Sequence, residues 1–142
     1  MKAVCLVSSG IDSPVAAYLV STYVDEILLL HVDTGHFSTG DHISTFLSLA
    51  ELIREKVSCR IRTGIVPHAA ALSAFRGHSE LRYTCVFCKR MMVRYADAIA
   101  LLQGADMIVM GDPWSGCVTN TSEYQCCRFG INRSHYPAVD WV

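Results

Sequence analysis

A short apolar run, Lys2-Ala3-Val4-Cys5-Leu6-Val7, breaks off at Ser8-Ser9-Gly10-Ile11-Asp12-Ser13, and from Pro14 to Tyr23 the apolar spacing is helical. This reads as a buried strand, a loop of small residues, and a helix with proline in its first turn. The alternation then continues. Ile27 to Val32 predicts a second strand, broken by Asp33-Thr34-Gly35. Ile43, Phe46, Leu47, Ala50 and Ile53 recur at helical spacing. Ser58 to Val66 predicts a third strand, Ala69 to Phe75 a short helix, and Cys88 to Leu102 a long one stopped by Gly104. Asp106 to Met110 predicts a fourth strand, and the Gly-, Ser-, Thr-, Cys- and Asn-rich remainder is expected to be irregular, with one further strand. Strands alternating with helices imply an α/β fold with right-handed crossovers and a mostly parallel sheet. Ligands of such sheets bind at the carboxyl ends of the strands. Ser8 to Ser13, His31 to Gly35 and Gly111 to Gly116 fall there.

The 142 residues suit one domain, and with 51% hydrophobic and 18% charged residues the chain can bury a core. No apolar run approaches the ~18 residues of a membrane span. The first residues turn polar too soon for a signal peptide. Seven cysteines, an odd count, argue against a fully paired secreted scaffold. A reducing, cytoplasmic setting is expected, where clustered cysteines serve metal or redox chemistry. The net charge of −1 gives no global attraction to nucleic acid, so such binding would need a local patch. Nine of the twelve basic residues lie between Arg54 and Arg94, among them Arg82, Lys89, Arg90 and Arg94. The ordinary use of such charges is a solvated helix face. The alternative is phosphate contact, with Tyr83 and Phe87 stacking on a base or packing in the core.

Two segments carry candidate chemistry. In Ser8 to Ser13, small residues before a helix can expose backbone N–H groups to an anion, and the helix dipole adds to the attraction. A capped turn with Asp12 or Ser13 as N-cap is the alternative. Neither a Walker A loop nor G-x-G-x-x-G occurs. In Cys85-Val86-Phe87-Cys88, two thiols three apart at a helix start face one side. That suits a metal, an iron–sulfur cluster or a redox pair, and the helix N-terminus with Lys89 and Arg90 would favour thiolates. Two half-buried thiols in an apolar turn are the alternative. His31 and Asp33 have ordinary readings as a near-core residue and a turn residue, and His36 and His42 as surface residues.

Ser8 to Ala16 resembles the PP-loop of the ATP pyrophosphatases, S-G-G-x-D-S, with Ser9 in place of a glycine. The stretch Gly10 to Ala16 is most similar to the tRNA 4-thiouridine synthetases (tRNA sulfurtransferases). Gly111 to Thr121 resembles that family's G-E-x-x-G-Q-x-x-[ST]-Q-T stretch: Gly111, Gly116 and Thr121 match, while Asp112, Cys117 and Asn120 depart from it. The resemblance implies a three-layer sandwich with a mostly parallel sheet, adenine nucleotide alpha hydrolase-like. It implies one PP-loop domain over residues 1–142, in a short form that begins without an upstream tRNA-binding domain and ends early. The implied activity splits ATP into AMP and pyrophosphate, adenylating a tRNA uridine oxygen that sulfur then displaces. Ser8, Ser9, Gly10, Ile11, Asp12 and Ser13 would hold phosphates. His31, Val32 and Asp33 would lie along adenine and ribose, with Gly111 and Asp112 beside the phosphates. Asp12 or Asp112 would hold Mg²⁺. Asp12, Cys85 and Cys88 are the catalytic candidates. Cys85 and Cys88 are the cluster or zinc candidates, with Cys117, Cys126, Cys127 or His135 completing the set. Expected partners are ATP, tRNA through a separate domain or subunit, a sulfur donor protein and a second copy of the chain. A non-catalytic nucleotide- or metal-binding subunit, or activation of a small molecule, is the alternative.

Overall fold

The computed structural model describes residues 1–78 and 81–111. Its elements run β1 (Lys2–Leu6), α1 (Asp12–Val20), β2 (Glu26–Asp33), a 3-10 turn (Gly35–Phe37), α2 (His42–Lys56), β3 (Arg60–Pro67), α3 (Ala69–His78), a second 3-10 turn (Leu81–Tyr83), α4 (Thr84–Gln103) and β4 (Met107–Met110). The four strands form one parallel sheet in the order β3-β2-β1-β4. Register runs from Lys2↔Glu26 to Leu6↔Leu30 and from Ala3↔Met107 to Leu6↔Met110 on either side of β1. The chain steps outward from β1 through β2 to β3, then returns to place β4 on the other side. That reversal puts the crevice of a doubly wound sheet at the end of β1.

Strand alternation sorts the core into two layers. Ala3, Cys5 and Val7 pack with Ile27 and Leu29 against Ala17 and Val20 of α1 and Phe46, Ala50 and Ile53 of α2. Val4 and Leu6 pack with Leu30, Val32 and Ile108 against Ala96 and Ala100 of α4. Helices therefore cover both faces, the three-layer arrangement expected for a parallel sheet. Small residues at Ala96 and Ala100 let α4 lie close to the strands. Gly104 ends that helix at φ +64°, the left-handed conformation a non-glycine residue disfavours. Among the described residues, no helix is long and apolar enough to cross a membrane.

Several boundaries differ from expectation, among them the end of α3 at His78 rather than Phe75. Helix α1 starts at Asp12 rather than Pro14 and ends at Val20 rather than Tyr23. Its N-cap position is Ile11, which makes no side-chain cap bond, so neither Asp12 nor Ser13 is the cap. The reason lies in the loop, where the Ser13 hydroxyl turns back to Ser8. Helix α4 starts at Thr84, so both Cys85 and Cys88 fall in its opening turns. Strand β3 runs to Pro67, tolerated at the last position of a strand that has one partner among the described residues. The further strand expected after Met110 lies outside the described residues.

Candidate functional site

Three strand ends converge at the carboxyl edge of the sheet. After β1, the Ser8 backbone N–H donates to the Ser13 hydroxyl at 2.8 Å, and the two hydroxyls lie 3.1 Å apart. The Gly10 N–H donates to the Ser8 hydroxyl at 3.2 Å. Two short side chains thus close the loop on itself. Ser8 to Asp12 remain exposed, while Ser13 is buried under them. The opening N–H groups of a helix have no intrahelical acceptor, so Ile11, Asp12 and Ser13 present donors at the positive end of α1. The Ser9 hydroxyl lies 3.0 Å from His42 Nδ1 at the start of α2, which directs that side chain towards the neighbouring helix.

The end of β4 touches the same loop. A Cβ at Gly111 would meet the Ser13 Cα at 2.4 Å, the Ser13 nitrogen at 2.5 Å and the Asp12 carbonyl carbon at 2.7 Å. Only glycine permits this backbone contact. Sequence residues far apart are thereby placed at one point: Gly111 forms the wall of the phosphate-loop candidate. Asp112, Cys117, Asn120 and Thr121 lie outside the described residues, as do Cys126, Cys127 and His135.

At the end of β2, side chains are engaged in structure. His31 is buried, its Nδ1 donates to the Val7 carbonyl at 3.0 Å, and its ring stacks on Phe46 with centroids 5.1 Å apart. Val32 is buried. One Asp33 carboxylate oxygen accepts the Gly35 N–H at 2.9 Å. What this strand end offers a ligand is its backbone and the half-buried Asp33.

The C-x-x-C turn sits at the same edge of the sheet, across from α1. Cys85 is exposed and Cys88 half-buried. Burial, then the Cys85 sulfur, pushes the Cys88 thiol above its usual range, opposite to the thiolate expected at a helix start. Phe87, between the two cysteines, stacks on Phe75 with centroids 4.1 Å apart and on His68 at 5.7 Å. Phe87 is half-buried and engaged with these two rings. Tyr83 is exposed, with the Arg82 guanidinium 4.9 Å from its ring centre. Of the basic residues, Arg54 pairs with Glu51 and Arg62 with Glu26 and Gln103, while Arg76 lies over Phe37. Among the described residues, no three His, Cys, Asp or Glu side chains converge to hold a metal. The two thiols alone fall short of a zinc or cluster ligand set.

The buried residue missing from the sequence reading is His68. It is fully buried just after β3, and its Nδ1 lies 3.0 Å from the Tyr95 hydroxyl. Its signal was available in outline, as a histidine at the carboxyl end of an apolar run.

A family model described as Thiamine biosynthesis protein (ThiI) matches residues 1–123. The chain belongs to the ThiI family. Curated relatives named "Probable tRNA sulfurtransferase" include one from Thermococcus kodakarensis, 35% identical over 130 residues, covering 86% of this chain and 32% of that protein. Another, from Methanobrevibacter smithii, is 32% identical over 133 residues, covering 92% of this chain and 35% of that protein. The chain thus spans about a third of the length of these ThiI-family relatives. A crystal structure of a 4-thiouridine synthetase–RNA complex with bound ATP superposes with a TM-score of 0.71 at 26% identity, covering 78% of this chain and 29% of that one. An NH3-dependent NAD synthetase from Campylobacter jejuni superposes with a TM-score of 0.63 at 21% identity, covering 78% of this chain and 47% of that one, a likeness of fold. The fold is the PP-loop, adenine nucleotide alpha hydrolase-like architecture expected from Ser8 to Ala16.

Proposed function

We propose that this ThiI-family chain supplies the ATP-splitting step of tRNA thiolation. A uridine oxygen attacks the α-phosphorus of ATP, the bond to pyrophosphate breaks, and the adenylated oxygen later leaves as AMP when sulfur attacks its carbon. The observation that carries this reading is the self-bonded Ser8 to Ser13 loop at the start of α1, walled by the Gly111 backbone. In a family whose relatives are named tRNA sulfurtransferases, that cradle suits a polyphosphate better than a merely capped turn.

Residue roles follow from position. The exposed loop residues Ser8, Ser9, Gly10, Ile11 and Asp12 and the N–H of Ser13 receive phosphate oxygens. The Asp12 carboxylate is placed to hold a Mg²⁺ that rides on those phosphates, since hard oxygen donors suit that ion. The backbone of His31, Val32 and Asp33 lies along adenine and ribose. Cys85 and Cys88 handle sulfur near the activated uridine, and the exposed Cys85 is the more accessible of the two. Should the pair hold a cluster or zinc, its further ligand would come from Cys117, Cys126, Cys127 or His135, which lie outside the described residues. Arg82, Lys89, Arg90 and Arg94 on and beside α4 give tRNA phosphates a positive surface on the same side. The tRNA-binding domain, the sulfur donor, a second copy of the chain and a cytoplasmic setting complete the proposal.

The test is product analysis of labelled ATP incubated anaerobically with the full chain and Mg²⁺, with and without unmodified tRNA. AMP and pyrophosphate are expected only with tRNA. Bound but unsplit ATP in the presence of tRNA would sink the catalytic reading in favour of a nucleotide-holding subunit.

A further inference from the structure

The turn bearing the two thiols has no cap bond from its N-cap residue, Tyr83, and the Thr84 hydroxyl at its start donates to the Leu81 carbonyl at 2.6 Å. Its contact with the rest of the fold includes ring packing. Phe75 of α3, Phe87 of the turn and His68 form a stack, near parallel at 9° and 25° between successive planes. Tyr95 meets the His68 ring edge-on at 75°, with its hydroxyl 3.0 Å from Nδ1. On α4, Cys88 and Tyr95 are two turns apart on one face.

His68 is fixed from the other direction by its backbone. Its N–H donates to the Asp33 carbonyl at 2.7 Å, and its own carbonyl accepts the Leu72 N–H at 3.0 Å, starting α3. One residue therefore joins the end of β2 to the C-x-x-C turn. The cost is visible as well. The ring is completely buried, its Nε2 has no partner among the described residues, and burial pulls its pKa down. A buried unsatisfied nitrogen is destabilising, so this histidine is a poor choice for stability alone.

We infer that His68 is a positioning residue, whose ring holds the Cys85–Cys88 turn in register with the nucleotide-side end of β2. The importance of that register for catalysis rests on the role proposed above for the two thiols. The register itself is tested without ATP or tRNA, so failure of one reading is distinguishable from failure of the other.

The experiment is alkylation of the reduced full chain with iodoacetamide, with rates at Cys85, Cys88 and Cys59 resolved by mass spectrometry. His68→Leu removes both the ring and the unpaired nitrogen, so melting temperature should hold or rise. Cys88 labelling should nevertheless accelerate about tenfold as the turn opens locally. The exposed Cys85, and Cys59 at the far end of the sheet, should stay within about twofold of wild type. His68→Phe keeps the stack and should label like wild type at all three sites. An unchanged Cys88 rate in His68→Leu would overturn the inference. So would His68→Phe matching His68→Leu, because the ring would then not be what positions the turn. Should His68→Leu unfold, seen as Cys59 accelerating with Cys88, Phe75→Leu removes the stack from its other side. The same two outcomes then decide: selective acceleration at Cys88 supports the inference, and an unchanged rate overturns it.

Discussion

The candidate phosphate loop and the C-x-x-C turn lie at one edge of one sheet but lean on different mixtures of contact. The loop is braced by hydroxyls two to five residues away along the chain, Ser8 to Gly10 and Ser13 to Ser8. The turn has one local bond, from the Thr84 hydroxyl to the Leu81 carbonyl, and is packed against rings from elsewhere, Phe75 on α3 and His68 after β3. Local hydrogen bonds cost little loop-closure entropy and leave a recognisable string of small residues. Ring packing between distant elements leaves no string at all. Hence the string Ser8 to Ser13 was enough to carry a family resemblance, whereas two cysteines three apart could not be distinguished from two half-buried thiols. The loop has one non-local dependence, the backbone of Gly111 pressed against Ser13.

Four substitutions break or sharpen this contrast. The largest effect is expected from Asp12→Ala, which removes an exposed carboxylate from the loop. ATP turnover should fall by more than about 100-fold through lost electrostatic stabilisation. Stability should change by no more than about 1 kcal/mol, the size of a helix-dipole contribution, as thermal melting would report. Full turnover in this variant would remove the phosphate-loop assignment.

Gly111→Ala attacks the loop's non-local support. Its Cβ would lie within 2.7 Å of the Asp12 and Ser13 backbone, so the loop or strand must shift, at about 1–3 kcal/mol. ATP affinity measured by titration calorimetry should weaken by about 10- to 100-fold, while Cys88 labelling stays at the wild-type rate. Equal damage to both regions would show that they do not behave as separate supports.

Cys5→Ala separates a core thiol from those of the turn. Burial, then the Cys59 thiol, pushes Cys5 up from 9.0 to about 12. The folded state thus keeps its proton while the unfolded chain loses it from pH 9 upward. The contribution is complete below pH 9 and falls as pH rises towards 12. Between pH 8 and about 10.5 the wild type should lose about 2 kcal/mol more than Cys5→Ala, measured by urea unfolding at each pH. Parallel pH curves for the two proteins would refute this. Ser9→Gly has the smallest expected effect. It removes the hydroxyl contact to His42 Nδ1, an exposed pair, and ATP affinity should change by no more than about threefold. A larger loss would make the α2 start part of the nucleotide site.

Much of the fold was legible because its signals are periodic and local. Near-continuous apolar runs in Lys2 to Val7 and Ile27 to Val32, and helical spacing in Ile43 to Ile53, name the elements and their order. Gly104 marks the end of α4 because a left-handed residue favours glycine whatever surrounds it. Boundaries were less legible where a side chain acted out of turn. Ser13 bonds back to Ser8 rather than capping α1, so the helix begins earlier than its apolar spacing indicates.

At the site, sequence order sufficed to place Ser8 to Ser13 between a strand and a helix, and the resemblance to the PP-loop supplied the phosphate expectation. Which side chains are left for a ligand was a matter of three dimensions. His31 turns inward to Val7 and Phe46, and Phe87 turns inward to His68, because each ring gains more from burial beside another ring than from water. Residues as distant as Ser13 and Gly111, or Asp33, His68 and Phe87, become neighbours only once parallel strands bring their carboxyl ends together. Chain order carries the periodicity of each element, but the contacts between elements depend on how the sheet stacks them.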